Sequence, residues 1–142
     1  MSIFASIFGK QTDTLNKNSG AAPKKVLVVE DDKDLRDFYC ELLTSEGFEV
    51  SIAKDGQSGL ETVISQKPNL VLLDLMMPIM DGKTMLRKMR DIPEFKQTPV
   101  IILTNAPDAD FIRQAQYFQA NDVLIKANIT PDVIITRINN FI

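Results

Sequence analysis

Leu70-Val71-Leu72-Leu73-Asp74-Leu75-Met76-Met77-Pro78-Ile79-Met80-Asp81-Gly82 is the stretch on which the fold turns. Its first four residues are an unbroken apolar run, closed by Asp74 and followed by Pro and Gly. That pattern reads as a buried strand entering a loop. A carboxylate thus stands at the carboxyl end of a core strand, where open α/β sheets bind their ligands. A second run, Val26-Leu27-Val28-Val29, ends in Glu30-Asp31-Asp32. Two such strands side by side gather several carboxylates at one sheet edge, a costly arrangement without a cation. An oxygen-ligated metal beside a reactive Asp is the expectation.

Outward from these two runs, strand-like and helix-like segments alternate five times from Lys24 onward. The strands fall at about 25–30, 48–53, 69–74, 99–104 and 121–126. Leu35, Phe38, Tyr39, Leu42 and Leu43 recur at helical spacing, as do Met85, Leu86 and Met89. Phe111, Ala115 and Phe118 mark a fourth helix, and Ile134, Ile138 and Phe141 a fifth. Gly47 is placed to stop the first helix, and Asp81 to cap the helix beginning near Gly82. Such alternation predicts a doubly wound, five-stranded parallel sheet with helices on both faces.

With 142 residues, the chain has room for one domain with its own core. A net charge of -3 argues against non-specific nucleic-acid binding. The absence of His leaves carboxylates, hydroxyls and lysines to carry any chemistry. The single Cys40 lies in a helical pattern and is expected in the core, so there is no disulfide framework and a reducing, cytoplasmic setting fits. No apolar stretch approaches the ~20 residues that span a bilayer.

Residues 1–23 stand apart. Asn16 to Pro23 has linker composition, and Ile3, Phe4, Ile7 and Phe8 share one helical face. This N-terminal extension is read as a flexible segment or a short amphipathic helix that docks on a partner or membrane surface. The domain proper is 24–142.

Thr104 closes Val100-Ile101-Ile102-Leu103, and Lys126 closes Val123-Leu124-Ile125. With Glu30, Asp31 and Asp74 they form one set at strand ends. Carboxylates, a backbone carbonyl and waters can complete an octahedral oxygen shell for Mg²⁺. An Asp carboxylate can attack phosphorus when cations and a hydroxyl take up the charge of the transferring oxygens. Each residue alone has a bland reading as cap, solvated lysine or strand threonine; the joint placement carries the inference.

Val28-Val29-Glu30-Asp31-Asp32, the stretch from Asp74 to Gly82, Thr104 and Lys126, in that order and spacing, resemble the receiver domain of two-component response regulators. The resemblance covers residues 24–142 and implies a flavodoxin-like fold with strand order 2-1-3-4-5. It implies that Asp74 is the phosphoacceptor, charged by the phosphohistidine of a sensor histidine kinase or a histidine phosphotransfer protein. Glu30 and Asp31 would organise Mg²⁺ with Asp74 and the Met76 backbone carbonyl, while Asp32 is assigned no metal bond. Thr104 and Lys126 would hold phosphoryl oxygens. Such a protein catalyses only its own phosphorylation and dephosphorylation. Since the chain stops near the end of the fifth helix, a stand-alone receiver is expected. Its output is then contact with a downstream protein through the face of the fourth helix, fifth strand and fifth helix (the 4-5-5 face), with Phe111, Ile112, Tyr117 and Phe118. A homodimer through that face is a further expectation.

The chain also departs from the family. Ala127 replaces the usual Pro after the lysine, so a trans bond and a re-routed loop are expected. Val123 replaces an aromatic switch residue, which moves any readout to the fourth helix, the last helix or the N-terminus. Asn105 stands where a small residue is common, and it either crowds the phosphoryl site or adds a hydrogen bond. Met76 and Ala106 offer no charge or amide to orient water, which predicts slow loss of the phosphoryl group. The second reading is an unphosphorylated binding scaffold, a pseudo-receiver, favoured by Ala127 and Val123 and opposed by the intact site set. An Asp-nucleophile phosphohydrolase would need an acid where Met76 stands, and no Gly-rich loop supports a nucleotide fold.

Overall fold

The computed structural model describes residues 22–105, 113 and 116–142. In chain order it contains β1 (Lys25–Val29), α1 (Lys33–Ser45), β2 (Glu49–Ala53), α2 (Gly56–Gln66), β3 (Leu70–Asp74), α3 (Gly82–Arg90), β4 (Val100–Thr104), β5 (Asp122–Ile125) and a C-terminal helix (Pro131–Asn139). The strands form one parallel sheet in the order β2-β1-β3-β4-β5, the flavodoxin-like arrangement.

Strand alternation sorts the core into two layers. Leu27, Val29, Val71, Leu73 and Ile102 face α2 and α3, where Val63, Met85, Leu86 and Met89 meet them. Val26, Val28, Leu70, Leu72 and Ile101 face α1 and the C-terminal helix, against Tyr39, Leu42, Leu43, Ile134 and Ile138. β3 and β4 are buried along their whole length, as central parallel strands covered on both faces must be.

The helix ends follow local chemistry. Asp32, Asp55 and Asp81 each accept a hydrogen bond from the backbone N–H three residues on, capping α1, α2 and α3. Gly47, just past α1, has φ of 93°, a left-handed turn that glycine adopts without a Cβ penalty.

Two expectations on α1 are corrected. Cys40 is half-buried rather than in the core, at a surface depression with Asp37, Glu41, Thr44 and Ser45. Phe38, read with the apolar face, is 37% exposed and stacks edge-on against Tyr39. The buried stripe is Tyr39, Leu42 and Leu43, and neighbours one residue away on a helix are turned by about 100° to its flank.

The fourth helix, read on Phe111 and Ala115, lies mostly outside the described residues, as do Ile112, Ala106 and the apolar face of Ile3, Phe4, Ile7 and Phe8. Phe118 is half-buried against the α2–α3 layer, and Tyr117 beside it is exposed. Among the described residues, no helix is long and apolar enough to cross a membrane.

Candidate functional site

Register brings the site together. Val29 pairs with Leu73, so Glu30 and Asp74 leave neighbouring strands side by side. Asp74 pairs with Leu103, which sets Thr104 one residue further along β4, and Thr104 pairs with Ile125, one residue before Lys126. Because β2 and β3 flank β1, the chain winds in opposite directions from this point, and a crevice opens at the carboxyl ends of β1 and β3.

Oxygens of Glu30, Asp31 and Asp74 lie within 4.8 Å of one another. Glu30 is 0% exposed and Asp74 3%, while Asp31 reaches solvent. The Lys126 ammonium lies 2.8 Å from Glu30 Oε1 and 3.4 Å from Asp74 Oδ1. Thr104 is buried at the end of β4, and Asn105 beyond it is exposed.

Two loops hold the acids in place. After β1, the Arg36 guanidinium reaches back from α1 to the carbonyls of Glu30 (2.9 Å) and Asp31 (3.4 Å), while Asp32 N–H donates to Glu30 Oε2 (3.2 Å). Asp32 turns its own side chain to the cap of α1. After β3, Met76 N–H donates to Asp74 Oδ1 (3.2 Å), and Gly82 N–H closes the loop onto the Leu75 carbonyl (3.0 Å). A Cβ at Gly82 would run into the Asp74 carbonyl oxygen and Leu75, so this loop can return to the strand only with glycine here. The exposed Ile79 in the same loop takes φ of 71°, a strained value for a β-branched residue.

Electrostatics distinguish the two buried carboxylates. Burial, then the Glu30 charge, push the Asp74 carboxyl up to about 7, against the opposing pull of Lys126 and the Met76 amide. A lysine neighbour ordinarily lowers a carboxylate, but Lys126 sits closer to Glu30 and leaves Asp74 under-compensated. Burial by itself would lower the Lys126 ammonium, yet the Glu30 hydrogen bond and the Asp74 charge hold it above its ordinary value. Three carboxylates facing one ammonium suit a hard, oxygen-seeking divalent cation.

A match to the family described as response regulator receiver domain spans residues 26–139. The chain belongs to this family. It is 37% identical over 103 residues to a probable chemotaxis protein CheY of Rhizobium etli, covering 72% of this chain and 80% of that one. It is 36% identical over 102 residues to the sensor histidine kinase TmoS of Ectopseudomonas mendocina, covering 72% of this chain but only 10% of TmoS. Against the response regulator MprA of Mycolicibacterium vanbaalenii, the match spans 35% of the relative's length. Among solved structures, Vibrio cholerae CheY4 superposes with a TM-score of 0.81 at 25% identity over 85% of this chain and all of that one. The BeF3-activated receiver domain of Klebsiella pneumoniae RstA superposes with a TM-score of 0.76 at 28% identity, over 83% of this chain and 97% of that one. The chain is thus a receiver domain of the two-component type.

The receiver's described residues include no cis peptide bond, so Lys126–Ala127 is trans, and Lys126–Asn128 forms one 3₁₀ turn. From that turn Lys126 still reaches both carboxylates. Val123 is half-buried against the α2–α3 layer. Arg36 went unread in the sequence. Its signal, an Arg one turn beyond an Asp cap, is shared with any solvated helix.

Proposed function

We propose that Asp74 is the phosphoacceptor of this receiver, with Lys126 and Thr104 binding the phosphoryl oxygens. Mg²⁺ would be held by Glu30, Asp31, Asp74 and the backbone carbonyl of Met76. The observation that carries the reading is the meeting of three carboxylates within 4.8 Å, beside one largely covered lysine, at the sheet's switch point. An Asp74 oxygen attacks phosphorus, the P–N bond of a phosphohistidine breaks, and the imidazole leaves with the bonding pair. The cation, when bound, neutralises charge on the transferring oxygens. Thr104 donates its hydroxyl to one of these oxygens, and Lys126 turns from Glu30 toward another.

The donor is a sensor histidine kinase or a histidine phosphotransfer protein, and the setting is cytoplasmic. The output is contact with a downstream protein or a second copy through the 4-5-5 face, on which the exposed Tyr117 stands. The phosphoryl group is lost slowly, because Met76 brings no charged or amide group to direct water.

Acetyl phosphate, with and without Mg²⁺, followed by intact mass, tests the assignment. One phosphoryl group is expected, dependent on Mg²⁺ and absent from Asp74→Asn. No gain in a folded protein would overturn the reading in favour of a pseudo-receiver, and a half-life under a minute in Mg²⁺ would overturn the slow-loss expectation.

A further inference from the structure

The loop after Asp74 and the helix α3 beyond it carry five methionines, and the fold treats them very differently. Met85 and Met89 are fully buried, Met77 nearly so, and Met80 half-buried in the α2–α3 layer. Met76 is 79% exposed. It borders an open depression with Leu75, Met77, Asp81 and Lys83. Its amide is bonded to Asp74 Oδ1, so this exposed thioether springs from a backbone position tied directly to the carboxylate. The depression is lined by none of the site's own carboxylates, but an unbranched side chain with three rotatable bonds can swing from there toward Asp74.

Thioethers are oxidised according to access. We propose that Met76 is a redox-modification site, at which a hydroperoxide forms a sulfoxide that hastens loss of the phosphoryl group from Asp74. In the oxidation, the peroxide O–O bond breaks and one oxygen bonds to sulfur. The other leaves as water from hydrogen peroxide, or as the alcohol from an organic hydroperoxide, so sulfur gives up two electrons and the peroxide takes them. The product exchanges an apolar tip for a strongly polar S–O acceptor without changing the backbone. An acceptor turned toward Asp74 can hold a water by its hydrogen and direct its oxygen at phosphorus, which an apolar thioether cannot do. The buried methionines are withheld from the oxidant, so damage to the core does not accompany the switch. The effect on the phosphoryl group rests on Asp74 being the phosphoacceptor; the selectivity of oxidation does not.

The test treats the intact protein with hydrogen peroxide and locates the added oxygen by peptide fragmentation. Met76 is expected to react at least ~10-fold faster than Met85 and Met89. Comparable rates at all three would overturn the proposal. Treated and untreated samples are then charged with acetyl phosphate and Mg²⁺, freed of donor, and followed by mass. The oxidised form is expected to lose the group at least about 3-fold faster than the untreated form. Met76→Leu should show no response to peroxide, and Met76→Gln should lose the group faster without it. An unchanged lifetime on oxidation, or an equal response in Met76→Leu, overturns the proposal while leaving the phosphoacceptor assignment intact. If the untreated protein takes no phosphoryl group, that assignment falls first and takes the regulatory step with it.

Discussion

Lys126 gives its shorter ion pair to Glu30, 2.8 Å from Nζ to Oε1, although Glu30 is fully buried and lies on the far side of Asp74 from β5. One ammonium thus neutralises the deepest carboxylate of the site and only partly compensates Asp74, at 3.4 Å. Removing it leaves buried negative charge unpaired, which is costly beyond the loss of the bond itself. Lys126→Met should therefore destabilise the protein by about 3 kcal/mol in urea unfolding without Mg²⁺. Part of the loss should return when Mg²⁺ is added, because a ligand that binds only the folded state raises its stability. A variant as stable as the parent without Mg²⁺ would show that the pair contributes nothing.

Arg90 should be among the most sensitive positions away from the site. Its guanidinium is buried at the end of α3, and it donates to the carbonyls of Gln119, Phe95 and Thr98 and to Asn121 Oδ1 at 2.7–3.2 Å. Asn121 Oδ1 also accepts Val100 N–H, so one cluster ties α3 to the starts of β4 and β5. Burial lowers the guanidinium pKa, and these acceptors offset the desolvation of its charge. Arg90→Met should cost about 3 kcal/mol by chemical denaturation, because several carbonyls lose their donor at once. Calorimetry should find Mg²⁺ affinity close to that of the parent.

Tyr39 supplies an alkaline signature. Burial, followed by the charges of Glu30, Asp74 and Asp32, raises its phenol from 10.0 to about 12. A raised acid favours the neutral form in the native state. Its stabilisation is therefore complete below pH 10.0 and is lost as pH rises from there through about 12. The loss is on the order of 2 kcal/mol across that window. Denaturation midpoints of the parent and Tyr39→Phe should keep a constant offset below pH 10.0, and the parent should lose stability relative to Tyr39→Phe as pH rises from there toward about 12. Parallel curves would exclude the phenol as the source.

Ile79 offers the opposite sign. It is exposed and held at φ of 71°, so it stores backbone strain without burying its side chain. Ile79→Gly removes the Cβ clash but adds freedom to the unfolded chain. A net gain of about 0.5 kcal/mol is expected in thermal or urea unfolding. A loss of stability would show that the side chain's contacts outweigh the strain.

The five strands were legible because each is a short apolar run bounded by turn residues, and parallel burial on both faces demands such runs. The helix caps at Asp32, Asp55 and Asp81 follow from a local bond to a residue three positions on. Asp81 was read as a cap in the sequence. Asp32 was read only within the acidic cluster, since an acidic neighbour hides which carboxylate does the capping. Cys40 was misread because helical spacing within one turn does not fix the edge of the buried stripe.

By itself, then, the sequence determined the alternation of strand and helix, the switch-point site and the residues that stand at its strand ends. These depend on local periodicity and on where each apolar run stops. Only the tertiary structure decided that Lys126 leans toward Glu30, that Arg36 clamps the acidic loop, and that Arg90 is buried among carbonyls. It also decided that Met76 is exposed while its neighbour Met77 is not. These depend on distances between segments far apart in the chain and on which side of a loop faces the core, and no pattern of neighbouring residue types encodes either.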